Sequence, residues 1–404
     1  MAPSGARERP RKYQNEMRQA YFDWNATAPL RPEARAAMLA AFDVVGNPSS
    51  VHAEGRAARR IVEQAREQVA NLVGAKPSEV VFTSGGTEAN MLALTPAIEV
   101  GQDKRPRDCL LLSAVEHPSV RTGGRFAQDL VEESPVTGNG LVDLAHLQRR
   151  LDELKASGGR PLVSVMLANN ETGIVQPVKA VAAMVHAAGG LLHVDAVQGP
   201  GRIPCDFNIL EADLESLSAH KIGGPKGVGA LIIREGLHLD PQIKGGGQER
   251  GHRAGTENVA GIAGFGAAAA AVSAGWPAEA AHMAAMRDRL EAGIRQVHPG
   301  VTIFGADVDR LPNTTLFSAP GMKAETAVIA FDLEGVAVSA GAACSSGKVA
   351  PSHVLAAMGV APALARGAIR VSLGYATTEN EVLAFLGAWA KLAQALYKGR
   401  EIAA

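Results

Sequence analysis

Several short segments combine residue types in ways that could do chemistry. Thr83-Ser84-Gly85-Gly86-Thr87-Glu88-Ala89-Asn90 follows an apolar run and opens a helical period. Small residues let the backbone approach an anion. The free N–H groups of a helix start at Gly86 and Thr87, with the Thr87 hydroxyl, suit a phosphate; an ordinary strand-to-helix turn is the competing account. His193-Val194-Asp195-Ala196-Val197-Gln198 puts Asp195 at the end of an apolar run. A carboxylate there is costly unless it meets a positive partner. A protonated heteroaromatic nitrogen is one such partner; a helix N-terminus or a structural salt bridge would also serve. Ser216-Leu217-Ser218-Ala219-His220-Lys221-Ile222-Gly223-Gly224 sets Lys221 between an apolar run and a glycine loop. Partial desolvation there favours the neutral amine needed for imine chemistry, and Ser218 and His220 could donate to a phosphate. A solvated surface lysine is the alternative.

Ser339-Ala340-Gly341-Ala342-Ala343-Cys344-Ser345-Ser346-Gly347-Lys348 holds a cysteine among small residues with glycine on both sides. That composition suits an accessible nucleophilic thiol better than a structural one, which would have large apolar neighbours. An incidental loop thiol is the plainer account. His117, in Ala114-Val115-Glu116-His117-Pro118, suits ring stacking or proton transfer. Arg370 is embedded in Ile369-Arg370-Val371-Ser372-Leu373. A buried guanidinium wants a carboxylate, from substrate or from the protein itself.

The elements that must position these residues are legible in the apolar pattern. Residues 80–83, 109–113, 162–167, 191–194, 214–218 and 229–233 read as strands, with helical periods between several of them. Near-continuous apolar strands alternating with helices predict an α/β fold, a mostly parallel sheet covered on both faces. Ile61, Ala65, Val69 and Val73 recur every fourth residue, and Gly74 follows as a stop. After about residue 276 the pattern becomes α+β: a helix over 278–297, strands at 314–318, 336–339 and 369–373, and a last helix opened by a Thr378–Glu381 capping box. Residues 259–276 carry no charge over 18 positions, but their Ala and Gly content supplies little transfer free energy. We read a close-packed internal helix there. Residues 21–29 are expected to pack on the second domain.

Composition bounds the rest. The 404 residues exceed an ordinary single domain, and 47% apolar with 20% charged residues can bury a sizeable core. Forty Lys and Arg against 41 Asp and Glu, with 4% aromatics, give no electrostatic or stacking surface for nucleic acid and no bias toward an anionic membrane. Three widely spaced cysteines, with no CxxC pair, fit a reducing, cytoplasmic setting. No metal-ligand cluster stands out. Residues 1–20, basic and poor in apolar side chains, read as a disordered tail.

Taken in this order, the segments resemble the cysteine desulfurases of the NifS and IscS type, within the class V aminotransferase-like pyridoxal-phosphate enzymes. The resemblance runs from about Tyr21 to the last helix. It includes Asp23-Trp24-Asn25-Ala26-Thr27, Gly46-Asn47-Pro48-Ser49-Ser50, Asn169-Asn170-Glu171-Thr172-Gly173, Gly245-Gly246-Gly247-Gln248-Glu249-Arg250-Gly251 and the cysteine loop. It implies a fold-type I transferase. Residues 31–275 would form a large cofactor domain with a seven-stranded sheet. Residues 21–30 and 276–404 would form a small domain carrying the cysteine loop.

The resemblance further implies pyridoxal 5'-phosphate held by Lys221, with Asp195 on the ring nitrogen, Gln198 on the ring hydroxyl and His117 stacked on the ring. Gly86, Thr87, Ser218 and His220 would hold the phosphate, and Thr256 would reach it from the other subunit of a homodimer. Arg370 and Asn170 would bind the carboxylate of L-cysteine. Lys221 and His117 would move protons, and Cys344 would take the sulfur for delivery to an acceptor such as an iron–sulfur scaffold. Selenocysteine lyase or an ordinary aminotransferase on the same fold, and a non-catalytic sulfur-relay scaffold, are the rival readings. Cys344 argues against plain transamination, and the intact Lys221, Asp195 and His117 against a scaffold. Neither excludes selenocysteine as a further substrate.

Overall fold

Apolar runs in the middle of the chain become fully buried strands. The structure, a computed structural model, describes residues 20–341 and 352–403. Strands β1 (Val80–Thr83), β2 (Cys109–Ser113), β3 (Val131–Ser134), β4 (Pro161–Met166), β5 (Leu191–Asp195), β6 (Leu214–Ser218) and β7 (Gly229–Ile233) form one sheet in the order β1-β7-β6-β5-β4-β2-β3. Only β7 runs against its neighbours. Six of the seven lie where the apolar runs predict them, to within a residue at each end. The exception is β3, which reads Val-Glu-Glu-Ser. It is the sheet's edge, paired only with β2 and half-exposed, so it needs no continuous apolar run.

Helices α1 (Pro32–Phe42), α2 (Ala53–Leu72), α3 (Gly86–Ala93) and α4 (Val259–Val297) follow from local signals. His52 caps α2 by accepting the Gly55 N–H, and Gly74, at φ +64°, lets the chain leave it. The two helices expected on either side of residue 276 are one continuous 39-residue helix, with Pro277 inside it. Packing outweighs the proline: the first half of α4 buries Ile262, Phe265, Ala268, Ala269 and Val272 in the core shared with α2. Added Cβ atoms at Gly264 and Gly266 would come within 2.6 Å of Met38 on α1 and Ala65 on α2. Among the described residues α4 alone is long and apolar enough to cross a membrane, and its apolar stripe lies on α1 and α2.

The C-terminal part is built on a second, antiparallel sheet of β8 (Thr302–Ile303), β9 (Thr314–Ser318), β10 (Ser339–Ala340) and β11 (Ile369–Ser372), in the order β8-β9-β11-β10. Helices α5 (Ala324–Leu333), α6 (His353–Ala357) and α7 (Glu379–Ala403) accompany it. Phe22, Phe317, Phe331, Phe385 and Trp389 share its core. The strand expected over 336–339 is split: Val336 and Ala337 pair in parallel with Ala20 and Tyr21, while Ser339 and Ala340 pair with β11. The chain start is thereby woven into this part. Ala20 is a strand residue rather than tail, and residues 1–19 lie outside the described residues. The capping box opening α7 forms, with Thr378 N–H donating to Glu381 Oε2 at 2.7 Å.

The glycine-rich 245–251 stretch is fixed to the main sheet by a buried ion pair. Glu249 accepts from Arg66 on α2 at 2.7 and 2.9 Å and from the Phe82 N–H of β1 at 2.8 Å. The loop reaches this position with Glu249 and Arg250 in left-handed backbone, φ +46° and +56°. Removing one partner of such a pair strands a buried charge, at about 3–5 kcal/mol. Glu249→Ala is therefore expected to lose about that much stability in a denaturant titration. Replacing Arg66 by Met in the same chain should recover part of the loss, and an unchanged midpoint in Glu249→Ala would contradict the assignment.

Candidate active site

Parallel strands leave their carboxyl ends and following loops on one side of the sheet, and a ligand crevice forms there. Here it is a cavity of about 330 Å³. Its wall includes Asp195, the last residue of β5, and Ser218, the last of β6, with His220 and Lys221 just beyond. It also includes His117 after β2 and Gly86 and Thr87 at the start of α3. Asn170, Gln198, Arg370 and Ser339 complete it, together with Asp23 and Asn25 from the chain start. The structure thus brings together every expected site residue except two. Thr256 is exposed and does not line this cavity. Cys344 lies in the 342–351 stretch, outside the described residues.

Asp195 is buried and held from two sides. Its Oδ1 accepts the Val197 N–H at 3.1 Å, and its Oδ2 accepts Asn90 Nδ2 at 2.9 Å. The same Asn90 amide donates to Ser119 Oγ at 2.9 Å, and Ser119 Oγ lies 2.8 Å from His117 Nδ1. The Ser119 N–H also donates to Nδ1, at 3.2 Å. That nitrogen is therefore an acceptor, and the neutral ring carries its proton on Nε2. Burial pushes the His117 imidazole below its usual range and Lys221 pushes it further, against the pull of Asp195, so the neutral ring prevails at physiological pH.

Lys221 Nζ donates to the backbone carbonyls of Asn25 and Ala26, at 2.5 and 2.9 Å. Gln198 Nε2 donates to the same Asn25 carbonyl at 3.1 Å. Arg370 is answered within the chain: Nη2 donates to Asp23 Oδ1 at 2.7 Å and Nη1 to the Asn170 carbonyl at 3.1 Å, while its Nε is buried and unpartnered among the described residues. Of the two carboxylates envisaged for it, the internal one is present, at the cavity wall. The 23–25 segment matched the family pattern, but its role is visible only in three dimensions. Asn90 carried a signal, one helical turn past the glycine turn of α3; Ser119 carried none.

The same cavity wall holds a cradle for an anion at the start of α3. The first N–H groups of α3 have no helical acceptor. A Cβ on Gly86 would come 2.9 Å from Val197 Cγ2 and 3.5 Å from Ser218 Cβ, filling the space beside the Ser218 hydroxyl. His220 Nδ1 is buried without a partner among the described residues, and desolvation lowers this imidazole to about 4, so it is neutral at physiological pH. Arg253 pairs with Glu88 in the first turn of α3 at 2.9 Å, tying the Thr256 segment to this end. A buried carboxylate, a neutral imidazole and an anion cradle lining one cavity fit a flat protonated ring with a phosphate tail.

The family model for class-V aminotransferases matches residues 20–385. A cysteine desulfurase of Cereibacter sphaeroides is 44% identical over 372 residues, covering 91% of this chain and 93% of that protein. The NifS-like protein of Rickettsia africae superposes with a TM-score of 0.82 at 34% identity, over 94% of this chain and 99% of that one. The structure of SspA in complex with cysteine superposes with a TM-score of 0.72 at 29% identity, over 89% and 99%. Fold and site define a fold-type I transferase, an enzyme with a mostly parallel central sheet. The chain belongs to the class-V aminotransferase family, among the cysteine desulfurases.

Two more buried carboxyls flank the cavity. Glu116 accepts from Ser113 Oγ and the Met166 N–H, both at 2.7 Å, and its Oε2 is unpartnered among the described residues. Desolvation pushes it up to about 8, and the charge of Asp195 adds to this. Glu171 accepts from Ser352 Oγ at 2.5 Å and is pushed up to about 7 by desolvation. A carboxyl raised in the fold binds more protons folded than unfolded, so its contribution to stability declines between about pH 4.5 and its folded value. Buried His193 and His220, each lowered to about 4, act oppositely below pH 6.5. The comparison that isolates Glu116 is therefore wild type against Glu116→Gln. As the pH rises from 5 to 8, the variant should gain stability relative to wild type, by up to about 1.4 kcal/mol per pH step of one. A stability difference independent of pH would exclude a protonated Glu116.

Proposed function

We propose that the chain is a cysteine desulfurase that converts L-cysteine to L-alanine, passing the sulfur to Cys344 and on to an acceptor. The observation that supports it most is the convergence of Lys221, Asp195, His117 and the α3 cradle in one cavity. Pyridoxal phosphate, when bound, supplies an electron sink for the substrate α-carbon. Lys221 would hold the cofactor and take the α-proton on Nζ. Asp195 would keep a proton on the ring nitrogen, Gln198 would donate to the ring oxygen, and His117 would stack on the ring and shuttle protons. Gly86, Thr87, Ser218 and His220 would fix the phosphate. Arg370 would turn part of its guanidinium from Asp23 to the substrate carboxylate, beside Asn170.

In the sulfur step, Cys344 Sγ attacks the sulfur of the substrate. One Cβ–S bond breaks and one S–S bond forms; the carbon skeleton leaves as alanine after protonation, and the enzyme keeps the sulfur as a persulfide. Both ends of the 342–351 stretch start near the cavity. Ser339 lies in its wall, and Ser352 is bonded to Glu171 beside Asn170. The other two thiols are poor candidates: burial pushes Cys109 up to about 11, with Glu132 adding to it, and raises Cys205 as well. We further propose a homodimer in which Thr256 completes the partner's phosphate site, in keeping with its exposure away from its own cavity. The large domain of residues 31–275 and the small domain of 21–30 with 276–404 are proposed with it, supported by their separate cores. So is a cytoplasmic setting, which fits the free thiols of Cys109 and Cys205. The proposed acceptor is a sulfur-accepting protein such as an iron–sulfur scaffold.

The direct test incubates the purified protein with cysteine and a reductant and measures sulfide and alanine in equal amounts; neither product would refute the reading. The purified protein should be yellow, and Lys221→Ala should lose the visible band. Cys344→Ala should keep the colour but lose sulfide release by more than about 100-fold, a loss of about 2.7 kcal/mol in transition-state stabilisation. Mass spectrometry after cysteine, without reductant, should find one added sulfur on the Cys344 peptide. Sulfur on Cys109 or Cys205 instead would move the nucleophile. In sedimentation at assay concentration the active species should be a dimer, and an active monomer would exclude a shared site.

A further inference from the structure

Arg202 lies behind the cavity, only 6% exposed, and among the described residues no carboxylate is within ion-pair distance of it. Its guanidinium is spent on neutral oxygens. Nη1 donates to Gln198 Oε1 and to the Gln198 carbonyl at 3.0 Å, and Nη2 donates to the Lys221 carbonyl at 3.3 Å. Burial lowers it to about 10, with Arg370 adding to the shift, so it remains a cation at neutral pH. A buried cation without a counter-charge is unfavourable unless an anion comes near it.

The hydrogen-bond inventory says where that anion belongs. The Gln198 side-chain carbonyl is taken by Arg202, and one of its two amide hydrogens is taken by Asn25 O. What Gln198 has left for the cavity it lines is one N–H, a donor and nothing else. We infer that Arg202 is a positioning residue that makes this corner of the cavity a seat for an oxyanion: it locks Gln198 as a donor and lends a positive charge that no protein carboxylate cancels. The inference rests on the function proposed above, in which the oxyanion is the ring oxygen of pyridoxal phosphate. A lysine at position 202 would keep the charge; an apolar residue would leave Gln198 free to flip its amide and present a carbonyl instead.

The test is a spectrophotometric titration of the holoprotein from pH 6 to 10, without substrate, for wild type, Arg202→Met, Arg202→Lys and Gln198→Leu. Asp23, Asp195, His117, His220, Lys221 and Arg370 also face the cavity and are the same in every arm, so differences in midpoint isolate the pair. Losing a cation beside an oxygen that becomes negative makes its proton harder to remove. Arg202→Met should therefore raise the pH midpoint of the visible band by about one pH unit, a tenfold change in proton affinity, and Gln198→Leu should raise it in the same direction. Arg202→Lys should stay near wild type. Yellow variants whose midpoints coincide with wild type overturn the inference and leave the desulfurase reading standing. A wild type that takes up no pyridoxal phosphate overturns that reading, and the inference with it. If Arg202→Met does not fold, an unmoved Gln198→Leu midpoint is by itself the overturning result.

Discussion

A carboxylate kept at the buried end of a strand is the constraint on which the rest of the site depends. Asp195 ends β5 in the middle of a sheet whose neighbouring strands are wholly buried. Water cannot satisfy it there, so the protein must. The Val197 N–H and the Asn90 amide do so, and through Asn90 and Ser119 the same network orients the His117 ring. Each donor in that chain is used in one direction only. Asn90 can face a carboxylate only with its NH2, and Ser119, receiving from Asn90, has its own proton for His117. The position of the acid and the tautomer of the base are thus one arrangement, set by α3 lying across the strand ends.

The second constraint is that the two halves of the chain meet at this point. Residues 23–25 belong by pairing to the C-terminal sheet, where Asp23 bridges to Ser372 and the Asn25 N–H donates to Ser372 Oγ. Yet their remaining groups reach both halves. The Asn25 carbonyl receives Lys221 and Gln198, and its amide reaches Thr314 and the Asn170 carbonyl. A shift of either half would break hydrogen bonds to the lysine itself. Arg31 adds a firm tie, with Glu279 on α4 at 2.9 and 2.5 Å and the Ile222 carbonyl at 3.1 Å, just past Lys221.

How much of this could be read from residues alone follows from what each residue must satisfy. Strands buried on both faces carry mostly apolar side chains in β1, β2, β4, β5 and β7, which made them legible while the half-exposed edge β3 was not; β6 was read with them although it buries Glu215 and two serines. Helix punctuation was legible at Gly74 and at Thr378, where local chemistry decides. It failed at Pro277, because the packing of α4 on α1 and α2 carries the helix through. Asp195, Lys221, His117 and Arg370 stood out as polar residues where apolar ones are expected. Asn25, Ser119 and Arg202 did not, because their meaning lies in which atoms they face once the chain is folded: Ser119 meets Asn90 across 29 residues, Asn25 meets Lys221 across 196, and Arg202 meets the Lys221 carbonyl across 19, relations no local pattern contains.

Charge separation in the cavity follows from the same logic. Adjacent carboxyls in a desolvated site cannot all ionise, and environment decides which of them do. Glu116 has a hydroxyl and one N–H on a single oxygen and nothing among the described residues on the other, and it feels the charge of Asp195; it is pushed up to about 8. Glu171 has Ser352 and a more distant Arg370 and is pushed up to about 7. Asp195 has a donor on each oxygen, and Asp23 has the Arg370 guanidinium. Burial thus holds the two glutamic acids well above the usual carboxylate range, while each of the two aspartates that face the cavity is met by hydrogen-bond donors. His117 and His220, both lowered, remain neutral. Arg202, with no carboxylate within ion-pair distance among the described residues, keeps its positive charge behind the cavity for whatever anion enters. A ligand with a cationic ring nitrogen and anionic oxygens meets a field whose hydrogen-bonded carboxylates are already placed, with Lys221 and Arg370 left to exchange their partners in the chain for it, and such preorganisation lets a buried polar site bind tightly rather than destabilise its own fold.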